Sequence, residues 1–163
     1  MTDNFFFVVQ PLQLAGLGAS LAINTYRTLK FLDLYIGVVG DHYDPLCGLD
    51  SELRYIAGNN ILEELKLYLV IQDDAPCRTK SKDWSAFDSV LTESGAFPML
   101  HRVLVEFWWL TARSISEQDA VLESLKGDKF PQLVKGKAVK FKFWAKIGTY
   151  CYDGVAQLIS SSS

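Results

Sequence analysis

Histidine, cysteine and methionine are all scarce in this chain, and their scarcity narrows the chemistry open to it. Two histidines, His42 and His101, stand among 163 residues. His101 lies in an apolar run between Leu100 and Arg102, the setting of a core-edge or surface histidine. His42 and Cys47 are five residues apart, which does not by itself make a nucleophile–base pair. The three cysteines, Cys47, Cys77 and Cys151, include no CxxC pair and no zinc spacing. An odd number also leaves one thiol over from any disulfide framework, so a reducing, intracellular and cytoplasmic setting is the simpler expectation. No complete phosphate or dinucleotide loop is present: Gly16-Leu17-Gly18 lacks the third glycine, the preceding strand and the acidic partner. The adjacent carboxylates Glu63-Glu64 would point about 100° apart on a helix and share no proton, and Asp73-Asp74 read as a solvated pair. The expectation is a non-enzymatic chain with no cofactor, no metal and no identifiable small-molecule substrate.

Charge is also missing where it would be informative. From Phe5 to Tyr26 there is no charged side chain, yet the residues before that run offer Asp3 and no Lys or Arg, the wrong sign for a secretory signal. A spanning helix needs about 20 mostly apolar residues. This stretch has the length, but Gln10, Pro11, Gln13, Ser20, Asn24 and Thr25 dilute it. Pro11 is suited to a first helical turn, so a helix is expected to begin there, with residues 1–10 as an apolar lead-in. Leu14, Leu17, Leu21, Tyr26, Leu29, Leu32 and Ile36 then follow at helical spacing. Small residues in the run would let a second helix, or lipid-embedded neighbours, approach closely. Leu12, Leu14, Gly16, Leu17, Ser20 and Leu21 are therefore candidates for helix packing or membrane engagement. A buried helix, a conditionally inserting helix and a permanent span all remain open, the first being favoured.

What the chain does have is apolar residues, 49%, against 21% charged, with net charge −3. That composition suits one globular domain over residues 1–163, ending in a disordered serine tail at 160–163. "LDSELRYIAGNNILEELKLYLVIQ" reads as a second helical stretch, with Leu62, Leu65 and Leu69 at helical spacing. "WSAFDSVLTESG", "FPMLHRVLVEFWWLTARS" and "SEQDAVLESLKG" read as three more. In the last part, Val139, Phe141 and Phe143 alternate with lysines like a strand, whereas Ile147, Cys151, Val155 and Leu158 recur like a helix; a helix over 139–159 is favoured. No internal repeat is evident. The expected fold is all-α, a bundle of five to six helices.

The charge is uneven. Residues 1–50 carry two basic and five acidic groups, while 126–146 carry seven lysines and one aspartate. Lys135, Lys137, Lys140, Lys142 and Lys146 interleave with Trp144 and phenylalanines, giving a candidate basic face. Such a mixture suits an anionic membrane surface, nucleic-acid backbone, or simply a solvated outer face.

The order of "PLQLAGLGASLAINTYRTL" (Pro11–Leu29), "LDSELRYIAGNNILEEL" (Leu49–Leu65) and "KGKAVKFKFWAKIG" (Lys135–Gly148) resembles the HeLo and HeLo-like group. These are the helical N-terminal domains of fungal NLR-type (STAND) receptors and cell-death proteins. The resemblance implies a helical bundle that passes on a death signal and, in the pore-forming branch, releases its first helix into membrane. The expected function is thus a signalling domain acting through protein partners or self-association, extending to membrane engagement through the N-terminal helix. The alternatives are a structural or assembly subunit, such as a viral or particle protein, and nucleic-acid binding through 126–146.

Overall fold

Four stretches of the chain share a period of two. In "FLDLYIGVV", "ELKLYLVIQ", "RVLVEFWWL" and "KFKFWAKIGTY", every second residue is apolar and the residues between are mostly polar or aromatic. In the computed structural model each is a β-strand, because alternate side chains of an extended chain leave on opposite faces. The residues described are 4–9, 14–24, 27–39, 46, 48–72, 81–110, 127–150 and 156–158. The strands are β1 (Asn4–Val9), β2 (Phe31–Val39), β3 (Glu64–Gln72), β4 (Arg102–Leu110), β5 (Lys140–Tyr150) and β6 (Ala156–Leu158). Between them lie the helices α1 (Leu17–Asn24), α2 (Leu49–Arg54), α3 (Ser81–Thr92) and α4 (Pro131–Lys135).

The sheet order follows the chain, β1-β2-β3-β4-β5-β6. The first five strands are parallel, and only β6 runs antiparallel against the end of β5. Parallel neighbours need a crossover, and crossovers are almost always right-handed. A series of right-handed crossovers moving in one direction puts every connecting helix on the same face. The helices accordingly pack in a row, α1 on α2, α2 on α3 and α3 on α4. The result is two layers, one of strands and one of helices.

The core lies between the layers. From the sheet come Leu32, Leu34 and Ile36, then Leu65, Leu67 and Leu69, then Val103, Val105 and Phe107, with Phe141, Phe143 and Ala145 packed against them. The register places these in rows across the sheet, for example Leu34, Leu67, Val105 and Phe143. A buried leucine also stands two residues ahead of three strands, namely Leu29, Leu62 and Leu100. The helices answer with Leu21, Leu49, Leu53, Trp84, Phe87, Val90, Leu91 and Leu133.

Close contacts fix the helix layer. Gly16 and Gly18 donate their backbone N–H groups to the two carboxylate oxygens of Glu52, at 3.1 and 2.8 Å, so α2 caps the start of α1. A Cβ on Gly18 would fall 1.9 Å from the Glu52 carbonyl oxygen, so only glycine allows this approach. Likewise Asp88 of α3 accepts the N–H groups of Gln132 and Leu133 at 2.7 and 2.9 Å, capping α4 from a distance.

Burial of Asp88 raises its carboxyl pKa above the ordinary 3.8, and the two backbone donors only partly offset this. The folded state therefore holds its proton more tightly than the unfolded chain. Its contribution is fully present below pH 3.8 and is lost as pH rises through the raised value. An Asp88→Asn variant is expected to lack that decline. It should also be less stable near neutrality, by about 1–3 kcal/mol, since its amide cannot accept both N–H groups. Urea unfolding at a series of pH values checks both parts.

The all-α expectation, and the helical bundle that the HeLo-like resemblance implied, are corrected: the fold is α/β. The single helix expected from Pro11 to Val39 divides into α1 and β2, and the stretch after Leu49 into α2 and β3. The helix expected around "HRVLVEFWWL" is β4, and that expected over 139–159 is β5 and β6. Within the lead-in, Asn4–Val9 forms β1. The short helix expected over 116–127 and the tail at 160–163 lie outside the described residues, Gly127 apart. The physical reason is the period. Leu62, Leu65 and Leu69 satisfy a helical template only if Leu67 is left out, and with it the apolar positions alternate.

Candidate protein-interaction face

Parallel strands covered on both faces read as continuous apolar runs. These strands alternate, so their second face is suited to water. Among the described residues no helix packs on it. Reading across the register gives its rows: Glu64, Arg102 and Lys140; then Asp33, Lys66, Leu104 and Lys142; then Tyr35, Tyr68, Glu106 and Trp144; then Val70, Trp108 and Lys146.

The β2–β4 half is internally paired. Lys66 lies 2.9 Å from Glu64 and 3.7 Å from Asp33, and Arg102 lies 3.0 Å from the second Glu64 oxygen. Burial alone would raise the Glu64 carboxyl, but hydrogen bonds and attraction from Lys66 and Arg102 outweigh it and hold it below its ordinary value. The hydrogen bond to Glu64 is the main cause holding the Lys66 ammonium above its own, against burial. Asp33 goes the other way, raised mainly by burial, with Lys66 offsetting only part. Its Oδ1 and the Arg102 Nε are buried with no hydrogen-bond partner among the described residues. Tyr35 and Tyr68 stack with ring centres 4.3 Å apart and planes within 6°.

The β4–β5 half is more open. Trp108 donates its indole N–H to Glu106 at 2.7 Å, and Lys146 reaches the same carboxylate oxygen at 3.2 Å while lying 4.7 Å from the Trp108 ring centre. Lys140 and Lys142 have no acidic partner among the described residues. Trp144 is 55% exposed. Arg102, Leu104, Glu106, Lys142, Trp144 and Lys146 line a shallow groove of about 280 Å³. A side chain entering it meets an aromatic wall, a leucine floor and ammonium groups, which suits non-covalent recognition.

Of the basic-face candidates, Lys140, Lys142, Trp144 and Lys146 are brought together on this face by the strand period. Lys135 ends α4, and Lys137 precedes the strand, exposed near His101. These two join a separate hollow and helix end rather than the face. That hollow, of about 650 Å³, is floored by Leu91, Phe97, Leu100 and Leu133.

The N-terminal candidates scatter. Leu14 and Leu21 are core, Leu17 is partly buried against it, Gly16 and Ser20 are exposed, and Leu12 lies outside the described residues. No helix among the described residues is long and apolar enough to cross a membrane. His42, the three cysteines and Asp73-Asp74 also lie outside the described residues. Glu63 turns to Lys30, at 2.6 Å, while Glu64 joins the sheet face. No group of three His, Cys, Asp or Glu suited to a metal occurs among the described residues. Sequence reasoning missed Tyr35, Tyr68, Arg102, Leu104, Glu106 and Trp108 as parts of one surface; strand alternation was the signal that would have found them. No protein-family model, curated protein or solved structure matches the chain.

Proposed function

We propose that this chain is a non-enzymatic protein-interaction domain whose open sheet face is the docking surface. The observation that carries the reading is the face itself: four aligned strands present Tyr, Trp, Arg and Lys side chains side by side. Trp, Tyr and Arg dominate the energetics of protein interfaces, and a Trp 55% exposed at a groove is a natural anchor. The rigid two-layer scaffold holds them without the cost of ordering a loop.

The test compares partners captured by the intact chain, by Trp144→Ala and by Ile23→Ser. Ile23 is 79% exposed on α1, in the opposite layer, and serves as the control. Losing an interface tryptophan typically costs 2 kcal/mol or more, so Trp144→Ala is expected to weaken capture roughly thirtyfold. Ile23→Ser should leave it unchanged. Equal capture by wild type and Trp144→Ala would remove the face from the function.

A further inference from the structure

Resting on that docking face, we infer that its β4–β5 half receives an extended acidic protein segment whose Asp or Glu side chains recur every second residue. The first ground is charge. The chain is net −3, yet the exposed face of β5 carries Lys140, Lys142 and Lys146. Asp33 and Glu64 occupy Lys66 and Arg102 on the neighbouring strands, and Glu106 takes Lys146. Lys140 and Lys142 make no ion pair among the described residues, and Lys142 lines the groove. The charge at that spot therefore favours a ligand of the opposite sign.

The second ground is spacing. Residues two apart on a strand are about 6.6–6.8 Å apart, and an extended ligand has the same repeat. Acidic side chains at alternate positions can thus meet Lys140 and Lys142 together. A residue two further along arrives at Trp144, where an apolar side chain has the ring and Leu104 to cover. The ligand implied is an acidic strand with one apolar residue in step.

The same map disfavours the other polyanions. A nucleic-acid backbone or anionic bilayer is negative over a broad area and would set phosphates against Glu64, Glu106 and Asp33, which share this face. The lysines of β5 span seven residues of a single strand, about 20 Å, too narrow a strip to outweigh that.

The probe is a fluorescein-labelled synthetic peptide with Glu at alternate positions and one central Leu, followed by fluorescence anisotropy. Its counterparts are the same peptide with Gln for Glu, a single-stranded oligonucleotide, and phosphatidylserine vesicles. The Glu peptide should bind saturably and weaken as salt rises. Binding should fall about tenfold or more in the K140E/K142E double variant, which removes two attractions and adds two repulsions. The Gln peptide, oligonucleotide and vesicles should not compete. Neither lysine makes an ion pair among the described residues, so an unchanged thermal midpoint is expected and confirms that the variant is folded. Equal binding of Glu and Gln peptides, no binding of either, or capture of oligonucleotide or vesicles by these lysines overturns the inference. If Trp144→Ala still abolishes partner capture while K140E/K142E does not, the docking face stands and the acidic partner falls. If Trp144→Ala changes nothing, the face itself falls.

Discussion

Phe130→Ala is expected to destabilise the domain by about 3–5 kcal/mol, the range for emptying a buried aromatic site. Phe130 is fully buried at the entry to α4, where the helix layer meets the sheet. Its ring meets Trp84 and Phe87 edge-on, at centre distances of 5.1 and 6.3 Å, and lies tilted against Phe141 and Phe143 at 5.2 and 5.9 Å. Two of these partners come from α3 and two from β5, so no single neighbour can move in to refill the space. Against a total stability of about 5–15 kcal/mol for a domain, such a loss leaves little margin. Urea unfolding should show a lowered midpoint with an unchanged slope. Phe130→Leu, which keeps apolar volume but no ring edge, should lose clearly less. A loss below about 1 kcal/mol in Phe130→Ala would mean that this cluster does not anchor the two layers.

The second large effect is expected at Asn60. This buried amide donates to the carbonyls of Ile56 and Ala96, both at 2.8 Å, and its oxygen accepts the Leu62 N–H at 3.2 Å. It therefore ties the end of the α2 turn to the loop after α3 and to the start of β3. The Ala96 carbonyl keeps a second donor, the Gly58 N–H at 2.7 Å, but the Ile56 carbonyl and the Leu62 N–H have no replacement of that kind among the described residues. Asn60→Leu conserves size and leaves those groups buried, at about 1–3 kcal/mol for each one unmet, so a loss of about 3–5 kcal/mol is expected. Asn60→Asp keeps the acceptor but loses both donations and buries a charge. Its destabilisation should ease as pH falls and the acid protonates. Chemical denaturation of the two variants at neutral and acid pH distinguishes these effects.

Parts of this architecture were legible from residues alone. The α3 segment around "WSAFDSVLTESG" was readable because Trp84, Phe87, Val90 and Leu91 recur at three- and four-residue steps with nothing apolar to contradict them. The strands were misread because leucine, a good helix former, supplies most of their buried positions, and leucines can be chosen from an alternating series to mimic a helix. "KFKFWAKIG" showed its alternation openly, yet the helical spacing of residues further along outweighed it. The recurring unit was hidden for a related reason. The equivalent positions Asn4, Phe31, Glu64, Arg102 and Lys140 are separated by 27, 33, 38 and 38 residues, so a search at one fixed period finds nothing. What recurs is local: a leucine, two residues, then alternating apolar positions, as at Leu29-Leu32-Leu34, Leu62-Leu65-Leu67 and Leu100-Val103-Val105. The lysine cluster was visible in composition, but its pairing with Trp108 and Glu106 required knowing which strands are neighbours.

Strand order that follows chain order has a consequence for how the molecule comes apart. Each strand pairs with the strands immediately before and after it in sequence, and each helix with its own neighbours. Among the described residues no late segment returns to lock an early one in place, as it would in a doubly wound sheet. Cooperativity is therefore passed from hand to hand along the chain rather than shared at a centre. The middle of the row, around β3, is held from both sides, whereas each end is held from one. Opening should begin at the ends and travel inward, and refolding should run outward like a zip closing from its middle. The Trp144 groove, near one end of the row, sits where such opening arrives early, so a ligand bound there would also clasp the loose end shut.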